Sequence, residues 1–312
     1  MKYVIKKLLT TFITLFAVSA LVFFSFSVIP GNPAVAKLGT EATKEKVEAL
    51  THEMGLDRPL PVRYGEWVSG LFKGDLGRSY SYNTSVTALL SEKIGTTLLL
   101  SFLAIGLTIL LAFPIGVYSA RKSDSKLDVI ITGINQFIMA VPSFFSGILI
   151  TLLFGFVFRL FTPGAYVSYK TDLGKCIGYL FFPALAIALP KISMVVKLLK
   201  DTVLKEAGKD YVVTAYSRGN ATKAVFYKHV LKNAMIPVIT FLGMTFADII
   251  AGSIIVEQVF SVPGLGRILL TSISGRDYPV VEAIILLLAL FVVLSNLIVD
   301  FTYRLFDSRI RV

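Results

Sequence analysis

A carboxylate stands alone in an apolar run at Asp248, about eleven residues into the stretch Pro237–Val256. At 1.5 Å per residue that is roughly 16 Å along a helix, near the middle of a hydrocarbon layer ~30 Å thick. A charge at that depth is costly and marks a functional site by default. The competing explanation is a hydrogen bond to a neighbouring helix. On a helical repeat Thr245 and Gly252 share the face of Asp248, while Gly243, Ala247 and Ala251 form a second, narrow face suited to close helix packing. Asn135, Gln136 and Asn296 are amides in other apolar runs, a type that joins helices more often than it meets a solute. These groups suit a path for a solute better than a reaction.

The residues needed for catalysis are not assembled. No Gly-x-x-x-x-Gly-Lys-Ser/Thr string occurs, so the chain has no such cradle for nucleotide phosphates. The histidines are His52 and His229, and the single cysteine is Cys176, which rules out an intrachain disulfide. No His/Cys group has metal-ligand spacing, and no hydrolase-like grouping of Asp, Ser and His is present. The chain is read as non-enzymatic, with no metal and no cofactor of its own. Any energy for work must come from a partner.

The elements that would carry these residues are apolar. The 312 residues are 55% hydrophobic with net charge +11 and mean hydropathy +0.74, which argues against a soluble domain and for anchoring at an anionic inner leaflet. Leu8–Ile29 follows Lys2, Lys6 and Lys7, carries no charge and lacks a small-x-small cleavage site, so it reads as a retained first span. Further spans are expected over Thr96–Tyr118 (interrupted by Pro114), Leu127–Phe158 (containing Pro142), Ile177 to about Val196 (broken by Pro183 and Pro190), Pro237–Val256 and about Val281–Val299. That makes an all-α membrane protein of six spans. Segments 1–7, 119–128, 191–236 and 300–312 carry three, three, nine and three Lys/Arg, which places them and both termini inside. Residues 30–95 then form an outer insert, with short helices expected at Thr43–Met54, stopped by Gly55, and at Pro61–Lys73. Trp67 and Phe72 suit an interface belt.

Between the fourth and fifth spans lies a lysine-rich hairpin, about 197–236. A first helical segment carries Val203, Leu204, Ala207, Tyr211, Thr214 and Ala215. Gly219-Asn220 is a stop, since both residues tolerate positive φ. A second segment carries Ala224, Val225, Val230, Leu231 and Ala234, and Pro237 marks its boundary. On pattern alone this is either a docking knob or a solvated basic loop.

The hairpin resembles the "EAA" coupling loop of bacterial ABC-importer permeases in its dipeptide/oligopeptide/nickel form. The matches are Asp210, Tyr211, Thr214, Ala215, Gly219, His229, Leu231, Lys232, Asn233 and Ala234. The wider family's leading Glu is Val213 here, its first Ala is Thr214 and its terminal Pro is Lys232, departures that suit the peptide/nickel branch. Four further strings resemble the same branch in collinear order: Gly-Leu-Asp-Arg-Pro-Leu (55–60) with Gly-Asp-Leu-Gly-Arg-Ser (74–79), Glu257 to Gly266, Arg276-Asp-Tyr-Pro279, and Asn296 to Arg311. The resemblance implies a type I ABC importer permease fold in a bacterial or archaeal cytoplasmic membrane, with domains 1–29, 30–95 and 96–312. It implies a second, homologous permease forming a heterodimer, two ATP-binding subunits that hold ATP and Mg, and an extracytoplasmic substrate-binding protein. Nucleic acid has no part in it. Asp210, Tyr211, Thr214, Ala215, Gly219 and His229 would contact the ATPase, with Tyr211, Ala215 and Gly219 at the docking face. Asp248, Thr245, Gly252, Asn135 and Gln136 would line the path, and Glu257, Phe260, Pro263 and Gly264 the outer mouth. Peptides are the expected cargo. A nickel or other metal chelate is the alternative within this architecture, and a non-transporting receptor or scaffold the alternative outside it.

Overall fold

The structure, a computed structural model, describes residues 2–306. The expected C-terminal string from Asp307 to Arg311 lies outside the described residues. The helices in chain order are α1 (Lys2–Val28), α2 (Pro33–Leu38), α3 (Lys44–Glu53), α4 (Leu60–Phe72), α5 (Val86–Arg121), α6 (Lys126–Ala140), α7 (Ser143–Ile150), α8 (Leu173–Ala207), α9 (Asp210–Ser217), α10 (Thr222–Val225), α11 (Lys232–Val259), α12 (Leu265–Ser274) and α13 (Tyr278–Phe306). Among the described residues no strand forms, and Arg78 and Ser85 make an isolated antiparallel bridge. Among the described residues five helices are long and apolar enough to cross a membrane, and the bent pair α6–α7 makes a sixth crossing if it is one span. The protein is an all-α, multi-pass membrane protein.

Proline behaves differently from the sequence expectation. Pro114 lies inside α5, Pro183 and Pro190 inside α8, and Pro237 inside α11, and none of them ends its helix. Each proline removes one N–H and leaves a carbonyl free, which neighbouring helices can offset when the segment is closely packed. Pro183 and Pro190 are both buried within α8. The exception is Pro142. Val141 before it is extended at φ −87°, ψ 121°, the conformation that a following proline favours. There the expected third span turns by 102°, so it is two helices rather than one. α7 continues through a π-helical stretch, Thr151–Val157.

The chain divides into two compact units. The first comprises residues up to Thr97 and Val262–Val293. Its insert, residues 30–95, is folded by local caps. Asn32 accepts from the Ala34 N–H at 2.8 Å and donates to Thr51 at 3.0 Å, and Thr43 caps α3. The two insert helices fall where they were expected, and Gly55 stops the first at φ +66°. Trp67 does not sit in an open belt. Its ring stacks on Phe23 of α1 at 5.9 Å, beside Tyr64, whose hydroxyl meets Ser19 at 2.9 Å. The insert thereby ties itself to the first span.

The second unit comprises Leu98–Ser261 and the chain from Leu294. α8 is its axis, packed against α6, α7 and α11. Leu199 and Val203 of α8 lie in an apolar core with Ala112, Val212, Ala215, Val225, Val230, Ala234 and Val238. α5 approaches so closely that a Cβ on Gly116 would stand 2.8 Å from Leu199 Cδ2. The Lys200 ammonium reaches both oxygens of Asp128 at 2.6 and 2.8 Å. Ser119 also donates to that carboxylate, and the Asp124 N–H does so at 3.0 Å. The α5–α6 turn is therefore locked to α8.

Candidate functional site

The hairpin begins as a continuation of the fourth span, since α8 runs unbroken to Ala207. It then breaks at Gly208-Lys209, where the sequence pattern had suggested a continuous helix. α9 carries Asp210 in its first turn, where the helix dipole favours a carboxylate. It ends in a glycine cap: Gly219 takes φ +79°, its N–H bonds to the Tyr216 carbonyl at 2.9 Å, and Asn220 Nδ2 donates to the Ala215 carbonyl at 2.9 Å. α10, a π-helical turn over Phe226–Leu231, and α11 then follow without a break. Pro237 thus fails as a boundary, and the hairpin's return arm is continuous with the fifth span. Arg121 fixes this arm from α5: its guanidinium lies 5.7 and 5.8 Å from the Phe226 and Tyr227 ring centres and donates to the Tyr227 hydroxyl at 3.3 Å.

Two of the three residues expected at the docking face point inward. The Tyr211 hydroxyl donates to Glu206 Oε1 at 2.8 Å and accepts from Asn233 Nδ2 at 3.1 Å. Burial pushes the Tyr211 phenol pKa upward; the Asn233 amide opposes that, and the Glu206 carboxylate adds to it. Ala215 is buried in the core of the second unit. Tyr211 and Ala215 therefore hold the hairpin closed on itself, while Asp210, Thr214, Gly219 and His229 lie exposed. Val213, Tyr216 and Tyr227 add exposed apolar surface. Glu206 was legible only as part of a polar string, because its partner Asn233 is 27 positions away.

Asp248 acquires a partner that sequence reading had put elsewhere. Lys191, expected on the inner loop, lies inside α8 with its ammonium 3.2 Å from Asp248 Oδ2. The pair borders a cavity of about 330 Å³ lined by Met139, Pro142, Ser143, Pro190, Met194 and Gly252, among others. Thr245 does not join them: it is buried, and Asp248 and Gly252 alone of that trio reach the cavity. Asn135 and Gln136 line a smaller cavity of about 90 Å³ with Thr132, Lys197, Lys200 and Asp201. Met139 borders both cavities, so one face of α6 runs past the two. Gly243 packs as its face predicted, since a Cβ there would stand 2.0 Å from Val299 Cγ2, but Ala251 is exposed.

Of the residues expected at an outer mouth, three are buried and Pro263 is half-buried. In the second unit Glu257 is buried and receives the Ser253 hydroxyl at 3.3 Å. Phe260 is also buried; its ring stacks on Phe161 at 5.9 Å, and its carbonyl accepts from the Tyr179 hydroxyl. In the first unit Pro263 is half-buried and Gly264 buried, ahead of Leu265, whose N–H bonds Thr97 at 2.9 Å. That unit also brings together the strings around Pro30, Ser79 and Asp277. Buried Asp277 accepts from the Ser79 hydroxyl and from the N–H groups of Tyr80 and Ser81 at 2.9 and 3.1 Å. Arg276 donates to the Pro30 carbonyl at 2.6 Å, and Gly31, at φ +117°, leaves room for its guanidinium. Burial pushes the Tyr80 phenol up to about 12; Arg63 opposes the rise, and Glu282 and Asp277 contribute to it.

Among the described residues no group of three His, Cys, Asp or Glu is placed to hold a metal. The comparisons agree with the membrane architecture. A model of binding-protein-dependent transport system inner membrane components matches residues 112–312, and a model of the N-terminal part of such components matches residues 1–101. An oligopeptide transport system permease protein of Bacillus subtilis is 31% identical over 311 residues, covering 99% of this chain and 98% of the relative. A protein of Sinorhizobium fredii, named as a probable peptide ABC transporter permease, is 31% identical over 309 residues and 99% of both chains. A crystal structure of an amino acid ABC transporter with histidines matches in fold, with TM-score 0.51 at 19% identity, over 72% of this chain and 95% of that one. This chain belongs to the binding-protein-dependent transport system inner membrane components, as a non-catalytic permease subunit of an ABC transporter.

Proposed function

We propose that this permease imports peptides, driven by ATP hydrolysis in partner subunits that dock on the α9–α10 hairpin. The observation that carries the reading is mechanical. One arm of the hairpin follows α8 after a single break at Gly208-Lys209, and the other is continuous with α11. The interior of the hairpin is closed by the Glu206–Tyr211–Asn233 hydrogen bonds. A push on its exposed tip is therefore transmitted to the two helices that border the Lys191–Asp248 cavity, and rocking of packed helices opens and closes such a site. The docking face comprises Asp210, Val213, Thr214, Tyr216 and Gly219, with Tyr211 and Ala215 supporting it from behind. A second permease subunit, two ATPases and an extracytoplasmic binding protein complete the assembly. The peptide cargo is supported by the names of the relatives, each aligned over nearly the whole chain.

Gly219→Trp tests the coupling. A Cβ at Gly219 meets nothing within 4 Å, so the indole projects from the tip and disturbs no packing. The left-handed backbone adds a cost of roughly 1–2 kcal/mol for a residue with a β-carbon, whereas Gly219→Asn adds a side chain that tolerates this conformation, without the bulk of an indole. Reconstituted with its partners, the wild type and Gly219→Asn should take up a labelled dipeptide only with ATP present. Gly219→Trp should insert normally and transport nothing. Normal uptake by the tryptophan variant would remove the coupling role, and wild-type uptake without ATP would remove the importer reading.

A further inference from the structure

In the second unit two lysine–aspartate pairs that join separate helices are built in opposite ways. Lys200–Asp128 is sealed: the carboxylate is 3% exposed and takes hydrogen bonds from Lys200, Ser119 and the Asp124 N–H. Lys191–Asp248 is open: the carboxylate is 67% exposed and makes one contact, from Lys191 Nζ to Oδ2. Asp248 Oδ1 and two of the three Lys191 N–H bonds have no protein partner among the described residues. The first pair is completed as a structural lock. The second has spare donors and a spare acceptor beside a cavity.

The cavity supplies further polarity of both signs. Its wall includes Met139 and Ala140 in the last turn of α6, the Val141-Pro142 break, and Ser143 at the start of α7. The last turn of a helix leaves carbonyls without intrahelical partners, and the first turn leaves N–H groups so. No side chain caps the start of α7. One end of the break thus favours an anion and the other a cation. The rest of the wall is apolar, with Met139, Met194 and Ile187, and flexible methionines adapt to varied side chains.

We propose that this cavity binds the charged backbone termini of a zwitterionic solute, with Lys191 taking its free carboxylate and Asp248 its free amine. The inference rests on the peptide-permease reading above and names the site at which that cargo is held. The selectivity follows from charge balance. Entry of a solute separates the pair, and in an apolar surrounding each separated charge needs a new partner. A zwitterion supplies both partners. A solute with a blocked terminus leaves either Lys191 or Asp248 uncompensated. The volume accommodates the backbone of one or two residues, and the open side of Asp248 leaves the remaining chain outside.

The test is equilibrium binding of labelled dialanine, N-acetyl-dialanine and dialanine amide to the purified complex of permeases and ATPases, without binding protein. ATP-driven uptake of dialanine is measured on the same complex with its binding protein. Asp248→Asn should weaken binding of the two free-amine peptides at least tenfold and leave N-acetyl-dialanine bound as tightly as before or more tightly, since it removes the charge that this ligand cannot compensate. Lys191→Gln should weaken the two free-carboxylate peptides and leave the amide bound as tightly as before or more tightly. The exchanged variant, Lys191→Asp with Asp248→Lys, keeps a pair in place and should recover dialanine binding relative to either single change. Wild-type uptake of dialanine with variants that affect all three ligands alike, or none, would overturn this inference and leave the import reading standing. Absence of ATP-driven dialanine uptake by the wild type would overturn both.

Discussion

Replacing Lys200 with methionine should cost this protein more than almost any other single change at a charged residue. Asp128 is 3% exposed, and its only charged partner among the described residues is Lys200, at 2.6 and 2.8 Å. Removing that ammonium leaves a buried carboxylate held by the Ser119 hydroxyl and the Asp124 N–H, both neutral donors. Breaking a buried pair from one side costs about 3–5 kcal/mol. Asp128→Asn keeps the shape and leaves a lysine that is 18% exposed and on a flexible stem, so it should cost about 1–2 kcal/mol. The double variant leaves neither charge unpaired. It should fall short of the sum of the singles by about 2 kcal/mol, as expected for groups in direct contact. For a chain of this length 1 kcal/mol corresponds to roughly 2 °C in melting temperature, so Lys200→Met should melt about 6–10 °C lower. The sole cysteine, Cys176, is free and fully buried, so its reaction with a thiol-specific dye reports unfolding of the same unit. A melting point within about 2 °C of wild type for Lys200→Met, or additive singles, would refute the view that this pair locks the α5–α6 turn to α8.

Two further outcomes concern the first unit. Asp277→Ala leaves the Ser79 hydroxyl and the Tyr80 and Ser81 N–H groups without their shared acceptor, so limited trypsin digestion at Arg78 should accelerate at least tenfold; an unchanged rate would show that these strings are held together by something else. The Tyr80 phenol, raised to about 12 from an ordinary value near 10, stabilises the fold below pH 10 and loses that contribution as pH rises through 12. Ultraviolet titration should show a tyrosine ionising near pH 12 that Tyr80→Phe removes, and a titration identical in that variant would count against the buried placement.

Much of this architecture was legible from apolar runs, because a helix in lipid must satisfy its own backbone. The insert helices were legible from Thr43, Gly55 and the apolar spacing between them. The prolines were not. Pro114, Pro183, Pro190 and Pro237 ride inside helices while Pro142, after the extended Val141, opens a 102° turn, and residue type alone does not distinguish them. The hairpin's turn was readable from Gly219-Asn220, yet its two faces were not. Tyr211 was taken for a contact residue because its partners, Glu206 and Asn233, come from opposite arms. Lys191 was assigned to the inner loop because lysines follow it, and only the fold brings it to Asp248, 57 positions later. Asp248 itself was conspicuous, since a lone carboxylate in an apolar run has few uses.

The measurement that bears most directly on the central claim is mass spectrometry of the proteins that co-purify with this chain from native membranes in mild detergent. Wild type and Gly219→Trp should be compared at equal, folded yield. The account predicts a pair of ATP-binding subunits with the wild type, absent from the tryptophan variant, with the second permease retained in both. A well-folded wild-type preparation that carries no ATPase, or a variant that retains it undiminished, would contradict the assignment of the hairpin as the coupling element.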